Sequence, residues 1–153
     1  MGLAPLAARA GEIFGDQMKT QGMIERQIPR DGKKLPCIGL GTWQTFDVDA
    51  SSADTLEPVL RRFYELGGRM IDSSPMYGRA ESITGLLSER LGINSKLFLA
   101  TKVWTSGQPQ GETQMEESLR RMERISLDLM QVHNLLDWKV QLSTIRNWKK
   151  QGR

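Results

Sequence analysis

Cysteine, histidine and long apolar runs are scarce in this sequence, and each scarcity excludes a class of protein. The 153 residues include one cysteine and one histidine. A single cysteine rules out a disulfide framework within the chain, and the neighbours Pro36 and Ile38 predict that Cys37 is a small buried apolar side chain. No apolar run approaches the roughly 18 to 20 residues that a transmembrane helix needs, so we expect no membrane partner.

An excess of charge of one sign is also missing. Lysine and arginine number 21 against 18 aspartate and glutamate residues, and the signs alternate along the chain. A nucleic-acid-binding protein is expected to carry a basic run or patch, so no nucleic-acid partner is predicted. The apolar fraction of 39% and the charged fraction of 25% are typical of one ordinary globular domain.

Residues 1–22 differ from the rest and are predicted to be an N-terminal extension. The stretch 2–10 is small and apolar and ends in Ala8-Arg9-Ala10, which is similar to the cleavage site of a secretory signal. The basic leader and most of the apolar core of such a signal are missing. We therefore expect a frayed extension and a cytoplasmic protein, with the alternative that residues 1–10 end an export signal and the protein is periplasmic.

Residues 23–153 repeat a short apolar strand followed by an amphipathic helix. We predict strands at residues 36–41, 70–72, 97–102 and 127–133. The apolar faces of the four following helices contain Leu56, Val59, Leu60 and Phe63, then Ile83, Leu86, Leu87 and Leu91, then Met115, Leu119 and Met122, and last Trp138, Leu142 and Ile145. The residues that close the strands, Thr42, Asp72, Lys102 and His133, are 30, 30 and 31 positions apart. A plausible N-cap, Asp137, precedes the fourth helix.

Short apolar strands joined by helical crossovers predict a parallel sheet covered by helices. Residues 39–44 carry two of the three glycines of a dinucleotide-binding fingerprint, which counts against an open doubly wound sheet. A tight turn at Asp31-Gly32 predicts a β-hairpin before the first repeat. Eight such repeats would need about 240 residues, close to the roughly 250 of a (β/α)8 barrel. We therefore expect an α/β protein of the TIM-barrel type, truncated to about four βα units with an N-terminal hairpin.

Four polar residues are predicted to share the carboxyl edge of the strands: Asp72, Tyr77, Lys102 and His133. Each alone is weak evidence, since an aspartate after a strand is often a turn residue and a lone histidine is often structural. Together they can converge on one point. A neighbouring ammonium lowers the pKa of a phenol, and a carboxylate keeps that ammonium charged, so Lys102 and Asp72 would make Tyr77 a usable acid. His133 would then polarise or orient a carbonyl oxygen.

Four segments resemble those of the aldo/keto reductase family. Residues 68–78, Gly-Arg-Met-Ile-Asp-Ser-Ser-Pro-Met-Tyr-Gly, followed by Glu81, look like the first signature of that family. Residues 119–133 resemble its second signature, residues 101–104 resemble its lysine strand, and residues 39–43 resemble its first strand and loop. The order and spacing of the four segments identify residues 23–153 as the N-terminal half of such a barrel.

The resemblance implies hydride transfer from NADPH to an aldehyde or ketone. Tyr77 would protonate the developing alkoxide, Lys102 and Asp72 would tune it, and His133 would orient the substrate. Gly41, Thr42, Trp43 and Asp72 would contact the cofactor, and Trp43, Trp104 and Asn134 would line the substrate pocket, although either tryptophan can also serve packing alone. Asn134 stands where the family often has tryptophan, which puts the substrate specificity in doubt. No metal is implied.

The main cofactor-binding segments of the family lie in the second half of the barrel, where barrels commonly bind phosphate. We therefore expect a fragment that is inactive by itself. Two alternatives stay open: a complete product that self-associates through exposed sheet edges as a binding module, and an aldolase that uses Lys102 to form a Schiff base.

Overall fold

The computed structural model describes residues 22–153. The predicted extension therefore lies, except for Gly22, outside the described residues, as does the alternative of an export signal. The described part begins with an antiparallel hairpin of strands β1 (Glu25–Gln27) and β2 (Lys34–Pro36). Gly32 occupies its turn with φ of +75°, a left-handed conformation that glycine adopts without strain. The predicted hairpin is thus confirmed.

Four parallel strands follow in the spatial order β3-β4-β5-β6. They are β3 (Gly39–Gly41), β4 (Met70–Asp72), β5 (Phe98–Val103) and β6 (Leu129–Val132). The helices are α1 (Glu57–Glu65), α2 (Ala80–Arg90), α3 (Gln108–Arg121) and α4 (Trp138–Lys150), and three short 3₁₀ turns lie at Ala50–Thr55, Asn94–Lys96 and His133–Leu135. Each of the first three helices joins two neighbouring strands, so the structure confirms four βα units of the barrel type.

The core lies between this sheet and its helices. Leu60, Ile71, Leu87 and Leu99 are completely buried there, and their burial is the main favourable term for this layer. Helices α2 and α3 approach closely because Gly85 has no side chain: a Cβ there would lie 2.3 Å from the carbonyl oxygen of Arg121. No helix in residues 22–153 has the length and apolar content needed to cross a bilayer.

The first predicted strand was wrong in extent. Pro36 belongs to β2, where it pairs with Glu25, and the barrel strand begins only at Gly39. The two residues between them connect the hairpin to the sheet and face solvent: Ile38 is 61% exposed and Cys37 is exposed. The prediction of a buried Cys37 is therefore wrong, because apolar neighbours in the sequence do not guarantee a packing partner.

Asp137 and Val59 also depart from the expectation. Asp137 stands at the N-cap of α4 in a left-handed conformation, φ of +47°, and makes no side-chain capping bond. Its carboxylate instead accepts a hydrogen bond of 2.8 Å from the backbone N–H of Gly107, which ties the start of α4 to the loop after β5. Val59, placed by helical spacing on the buried face of α1, is 48% exposed, and Trp138 is 46% exposed.

Candidate active site

An ion pair lies at the carboxyl edge of the sheet. Asp72 ends β4 and pairs in register with Ala100, so Lys102, two residues further along β5, points to the same face of the sheet. Its ammonium donates to Asp72 Oδ2 at 2.6 Å and to the carbonyl oxygen of Ser73 at 2.7 Å. The side chain of Lys102 is only 13% exposed. Two acceptors therefore hold a nearly buried ammonium in one position.

Gln131 completes the bonding of the Asp72 carboxylate. It lies beside Lys102 in the β5–β6 register, and its Nε2 donates to Asp72 Oδ1 at 3.1 Å. Both carboxylate oxygens are thus occupied, which fixes the plane of the group as well as its position. Gln131 was not predicted from the sequence, although an amide inside an otherwise apolar strand was a visible signal.

The rings of Tyr77 and His133 pack beside this ion pair. Lys102 Nζ lies 5.2 Å from the centroid of the Tyr77 ring. The Tyr77 and His133 rings meet edge to face with centroids 5.7 Å apart. The Tyr77 hydroxyl makes no hydrogen bond within the described part of the chain. The structure therefore brings all four predicted residues together.

The hydroxyl of Ser74 contacts the His133 ring. Its side chain is completely buried, and Oγ lies 2.7 Å from His133 Nδ1. Sequence analysis did not single out Ser74, because a small polar residue after a strand is most often part of a turn. The other ring nitrogen, Nε2, has no hydrogen bond to any residue between 22 and 153.

The environment lowers the pKa of His133 below that of a free imidazole. Burial is the largest cause, because it penalises the charged form, and the nearby Lys102 ammonium lowers the pKa further. The Asp72 carboxylate acts in the opposite direction and offsets part of the effect. The imidazole is therefore neutral at pH 7, the state in which one ring nitrogen can donate and the other accept.

NMR titration of His133 should show this shift and its causes. We expect the midpoint to lie below 6.5, to rise in Lys102→Met, where a repelling charge is lost, and to fall in Asp72→Asn. Because the unfolded chain binds this proton more readily, the contribution of His133 to stability is present above pH 6.5 and is lost as the pH falls through the folded midpoint. A midpoint above 6.5, or shifts of the opposite sign in the variants, would contradict the described arrangement.

The loop after β3 lies next to Tyr77. Trp43 is 63% exposed, and its ring centroid is 6.4 Å from that of Tyr77. Gly41 has open space where a Cβ would stand. Thr42, in contrast, is completely buried, with Oγ1 lying 3.1 Å from the Asp72 carbonyl oxygen and 2.9 Å from Ser73 Oγ. Its hydroxyl is therefore engaged at the end of β4, and the side chain is not accessible from solvent.

Trp104 and Asn134 lie at the rim near His133. Trp104 is 40% exposed, and its ring centroid lies 6.4 Å from that of His133. Asn134 is exposed and has φ of +54° within the turn at His133–Leu135, a conformation that asparagine tolerates better than most residues. These two residues, which were predicted with Trp43 to line a substrate pocket, therefore lie near His133.

Much of the chain is similar in sequence to known proteins. Residues 37–152 match the model of the aldo/keto reductase family. Methylglyoxal reductase YeaE of Escherichia coli K12 is 39% identical over 116 residues, which cover 72% of this chain and 40% of YeaE. Methylglyoxal reductase DkgA of Yersinia pestis is 29% identical over 103 residues, covering 67% of this chain and 35% of DkgA. The chain thus spans about two fifths of the length of these relatives.

Solved structures agree on the fold. The aldo-keto reductase PA4992 of Pseudomonas aeruginosa superposes with a TM-score of 0.74 at 25% identity, covering 88% of this chain and 60% of that protein. An aldo-keto reductase of Klebsiella pneumoniae, solved in complex with NADPH, has a TM-score of 0.72 at 24% identity and covers 85% of this chain and 47% of its own. With the family model matching three quarters of its residues, this chain belongs to the aldo/keto reductase family.

Proposed function

We propose that the protein reduces a small aldehyde or ketone with NADPH, and that Tyr77 supplies the proton. The observation that carries this proposal is the Lys102 ammonium, held by Asp72 at 2.6 Å and lying 5.2 Å from the centroid of the Tyr77 ring. Family membership supports the reaction class, and two similar proteins are named as methylglyoxal reductases.

Proton transfer from Tyr77 is the step for which these residues are arranged. As the carbonyl carbon accepts hydride, negative charge develops on the carbonyl oxygen, and the phenol hydrogen moves to it. The product is an alcohol, and a phenolate remains on Tyr77. The Lys102 ammonium, whose Nζ lies 5.2 Å from the centroid of the Tyr77 ring, attracts that phenolate and stabilises it until solvent returns the proton.

Asp72 and His133 have supporting roles in this proposal. The Asp72 carboxylate accepts a hydrogen bond from the Lys102 ammonium and holds it beside the Tyr77 ring, since a nearly buried charge needs a partner. Nε2 of neutral His133 has no hydrogen bond to a described residue, so an N–H group there can orient a carbonyl oxygen beside the Tyr77 hydroxyl. Positioned groups of this kind act by holding the reacting atoms in place.

The residues around the mouth fit the nicotinamide end of a dinucleotide. When bound, NADPH supplies the hydride that the reaction needs. Gly41 leaves an open backbone position, Trp43 offers an exposed indole face, and Asp72 lies between them and Lys102. Thr42 would contribute indirectly, because its side chain is engaged with Asp72 and Ser73. Gly41, Trp43 and Asp72 are therefore the proposed cofactor contacts in this part of the protein.

Trp43, Trp104 and Asn134 are proposed to border the substrate. One indole lies beside each ring of the Tyr77–His133 pair: the Trp43 centroid is 6.4 Å from that of Tyr77, and the Trp104 centroid is 6.4 Å from that of His133. A planar, partly apolar molecule such as a 2-oxoaldehyde suits a mouth with two aromatic walls and one exposed amide. We therefore propose methylglyoxal as the first substrate to test.

The test is steady-state oxidation of NADPH by the full-length gene product with methylglyoxal. We expect NADPH consumption and an equal amount of hydroxyketone product. Borohydride added with the carbonyl substrate should leave no adduct on Lys102, because an ammonium paired with a carboxylate is a poor nucleophile. A covalent adduct on Lys102, or a folded protein that oxidises no NADPH with any short aldehyde or ketone, would overturn the proposal.

A second candidate, a self-associating binding module, is favoured by exposed apolar side chains at the β6 side of the sheet. The exposed residues are Leu129, Leu135, Leu136, Trp138 and Val140. Apolar surface of this kind marks a contact with other protein. A stable dimer without reductase activity would favour the binding module, whereas reductase activity would exclude it.

The cytoplasmic location of the protein also remains a prediction, which cell fractionation tests.

A further inference from the structure

The hydroxyl of Ser74 has two hydrogen bonds within the described part of the chain. Oγ lies 2.7 Å from His133 Nδ1, and it accepts a longer bond of 3.4 Å from the backbone N–H of Met76. The side chain of Ser74 is completely buried, so water cannot replace either partner without a rearrangement. Among residues 22–153, His133 Nδ1 is therefore the acceptor available to the hydroxyl hydrogen of Ser74.

The direction of this bond follows from counting hydrogens. A serine hydroxyl has one hydrogen, which needs an acceptor, and the N–H of Met76 is itself a donor. Nδ1 of His133 can accept only when it carries no hydrogen. A buried donor without an acceptor is costly. We propose that Ser74 donates to Nδ1 and thereby holds neutral His133 in the tautomer whose hydrogen is on Nε2.

This tautomer suits the reaction proposed above. Its role in the reaction rests on the proposed function, whereas the assignment of the tautomer does not. Nε2 has no hydrogen-bond partner among the described residues, so its N–H is free to meet a carbonyl oxygen placed near the Tyr77 ring, 5.7 Å away by centroids. In the opposite tautomer, Nε2 would present a lone pair to the same oxygen and repel it. Ser74 thus acts as a positioning residue for the reaction.

The same contact opposes the charged form of His133. An imidazolium carries a hydrogen on Nδ1, which would leave the Ser74 hydroxyl hydrogen without an acceptor. The charged groups nearest the ring are Lys102, which also opposes protonation, and Asp72, which favours it, while the Tyr77 ring packs edge to face. Ser74 therefore favours the neutral form of His133 through a direct contact, in addition to the opposing effects of Lys102 and Asp72 on its protonation.

Nitrogen NMR of His133 tests the proposal without cofactor or substrate. In ¹⁵N-labelled full-length protein above neutral pH, with the signal assigned by its loss in His133→Gln, we expect a protonated Nε2 and an unprotonated Nδ1. In Ser74→Ala we expect a mixture of the two tautomers. Ser73→Ala is the matched control: Ser73 is the adjacent serine and equally buried, but its Oγ contacts Thr42, so the tautomer should not change. Ser74→Thr keeps the hydroxyl and should restore the wild-type pattern.

The outcomes separate this inference from the proposed function. A hydrogen on Nδ1 in the wild-type protein, or an unchanged tautomer in Ser74→Ala, would overturn the role of Ser74 whatever the activity. If the tautomer behaves as expected and the wild-type protein reduces carbonyls, we expect kcat/KM to fall about tenfold in Ser74→Ala. A loss of this size corresponds to one positioned hydrogen bond. The expected tautomer in a protein that reduces no carbonyl would support the role of Ser74 and refute the proposed reaction.

Discussion

Tyr77→Phe is expected to lower kcat for carbonyl reduction by about 10² to 10⁴-fold, the usual contribution of a positioned general acid. The variant keeps the ring that packs against His133 and Trp43 and removes only the hydroxyl. That hydroxyl makes no hydrogen bond within residues 22–153, so the melting temperature of the variant should stay close to that of the wild-type protein. Steady-state NADPH oxidation and thermal unfolding measure the two effects.

The second tyrosine of the chain provides the matched control. Tyr64 lies on α1, where its ring stacks under the guanidinium of Arg69 at 3.9 Å, outside the cluster around Asp72. Tyr64→Phe should leave kcat unchanged. If Tyr77→Phe retains more than about a tenth of the wild-type kcat, a contribution of about 1.4 kcal/mol or less, Tyr77 is not the proton donor.

Lys102→Met is expected to lose as much activity as Tyr77→Phe and, unlike it, to destabilise the protein. Removing the ammonium leaves the Asp72 carboxylate facing only Gln131 and leaves the Ser73 carbonyl oxygen without its donor. Breaking a fully buried pair costs about 3–5 kcal/mol. Because the Asp72 side chain is 35% exposed, we expect a smaller loss of about 1–3 kcal/mol in the free energy of unfolding, measured by urea denaturation.

A double variant tests whether Lys102 acts through Tyr77. Residues that work as one unit give strongly non-additive losses, so Tyr77→Phe with Lys102→Met should be no less active than the worse single variant. Lys149→Met, an exposed lysine on α4, should change neither activity nor stability. Losses that multiply in the double variant would show that Lys102 contributes to turnover by a separate route.

The order of strands and helices could be predicted from the sequence because the need to bury apolar residues determines their spacing in each element. Met70–Asp72 was placed to the residue: it is a short apolar segment between Gly68 and a serine-rich turn. The helices were located by their apolar stripes, and Gly92 ends α2 with φ of +64° as its type predicts. The splitting of the first strand was missed, because the choice of Pro36 between hairpin and barrel depends on pairing with Glu25, which lies outside any local pattern.

The site was predictable to the extent that it follows from topology. Parallel strands bring their carboxyl ends to one edge, so the convergence of Asp72, Lys102 and His133 needed only the strand order. Gln131 and Ser74 were not found, because their roles depend on the register between β5 and β6 and on the direction of one side chain after β4. The burial of the Thr42 side chain and the left-handed backbone conformation of Asp137 depend on similar details of three-dimensional packing.

Transfer of deuterium tests the central claim most directly. Full-length protein is incubated with methylglyoxal and NADPH that carries deuterium at its transferable position, and the alcohol is analysed by mass spectrometry. We predict one deuterium on the former carbonyl carbon with the wild-type protein and with Tyr64→Phe, and nearly none in the same time with Tyr77→Phe. Deuterium transfer at the wild-type rate in Tyr77→Phe, or none with the wild-type protein, would contradict the assignment of a reductase in which Tyr77 is the acid.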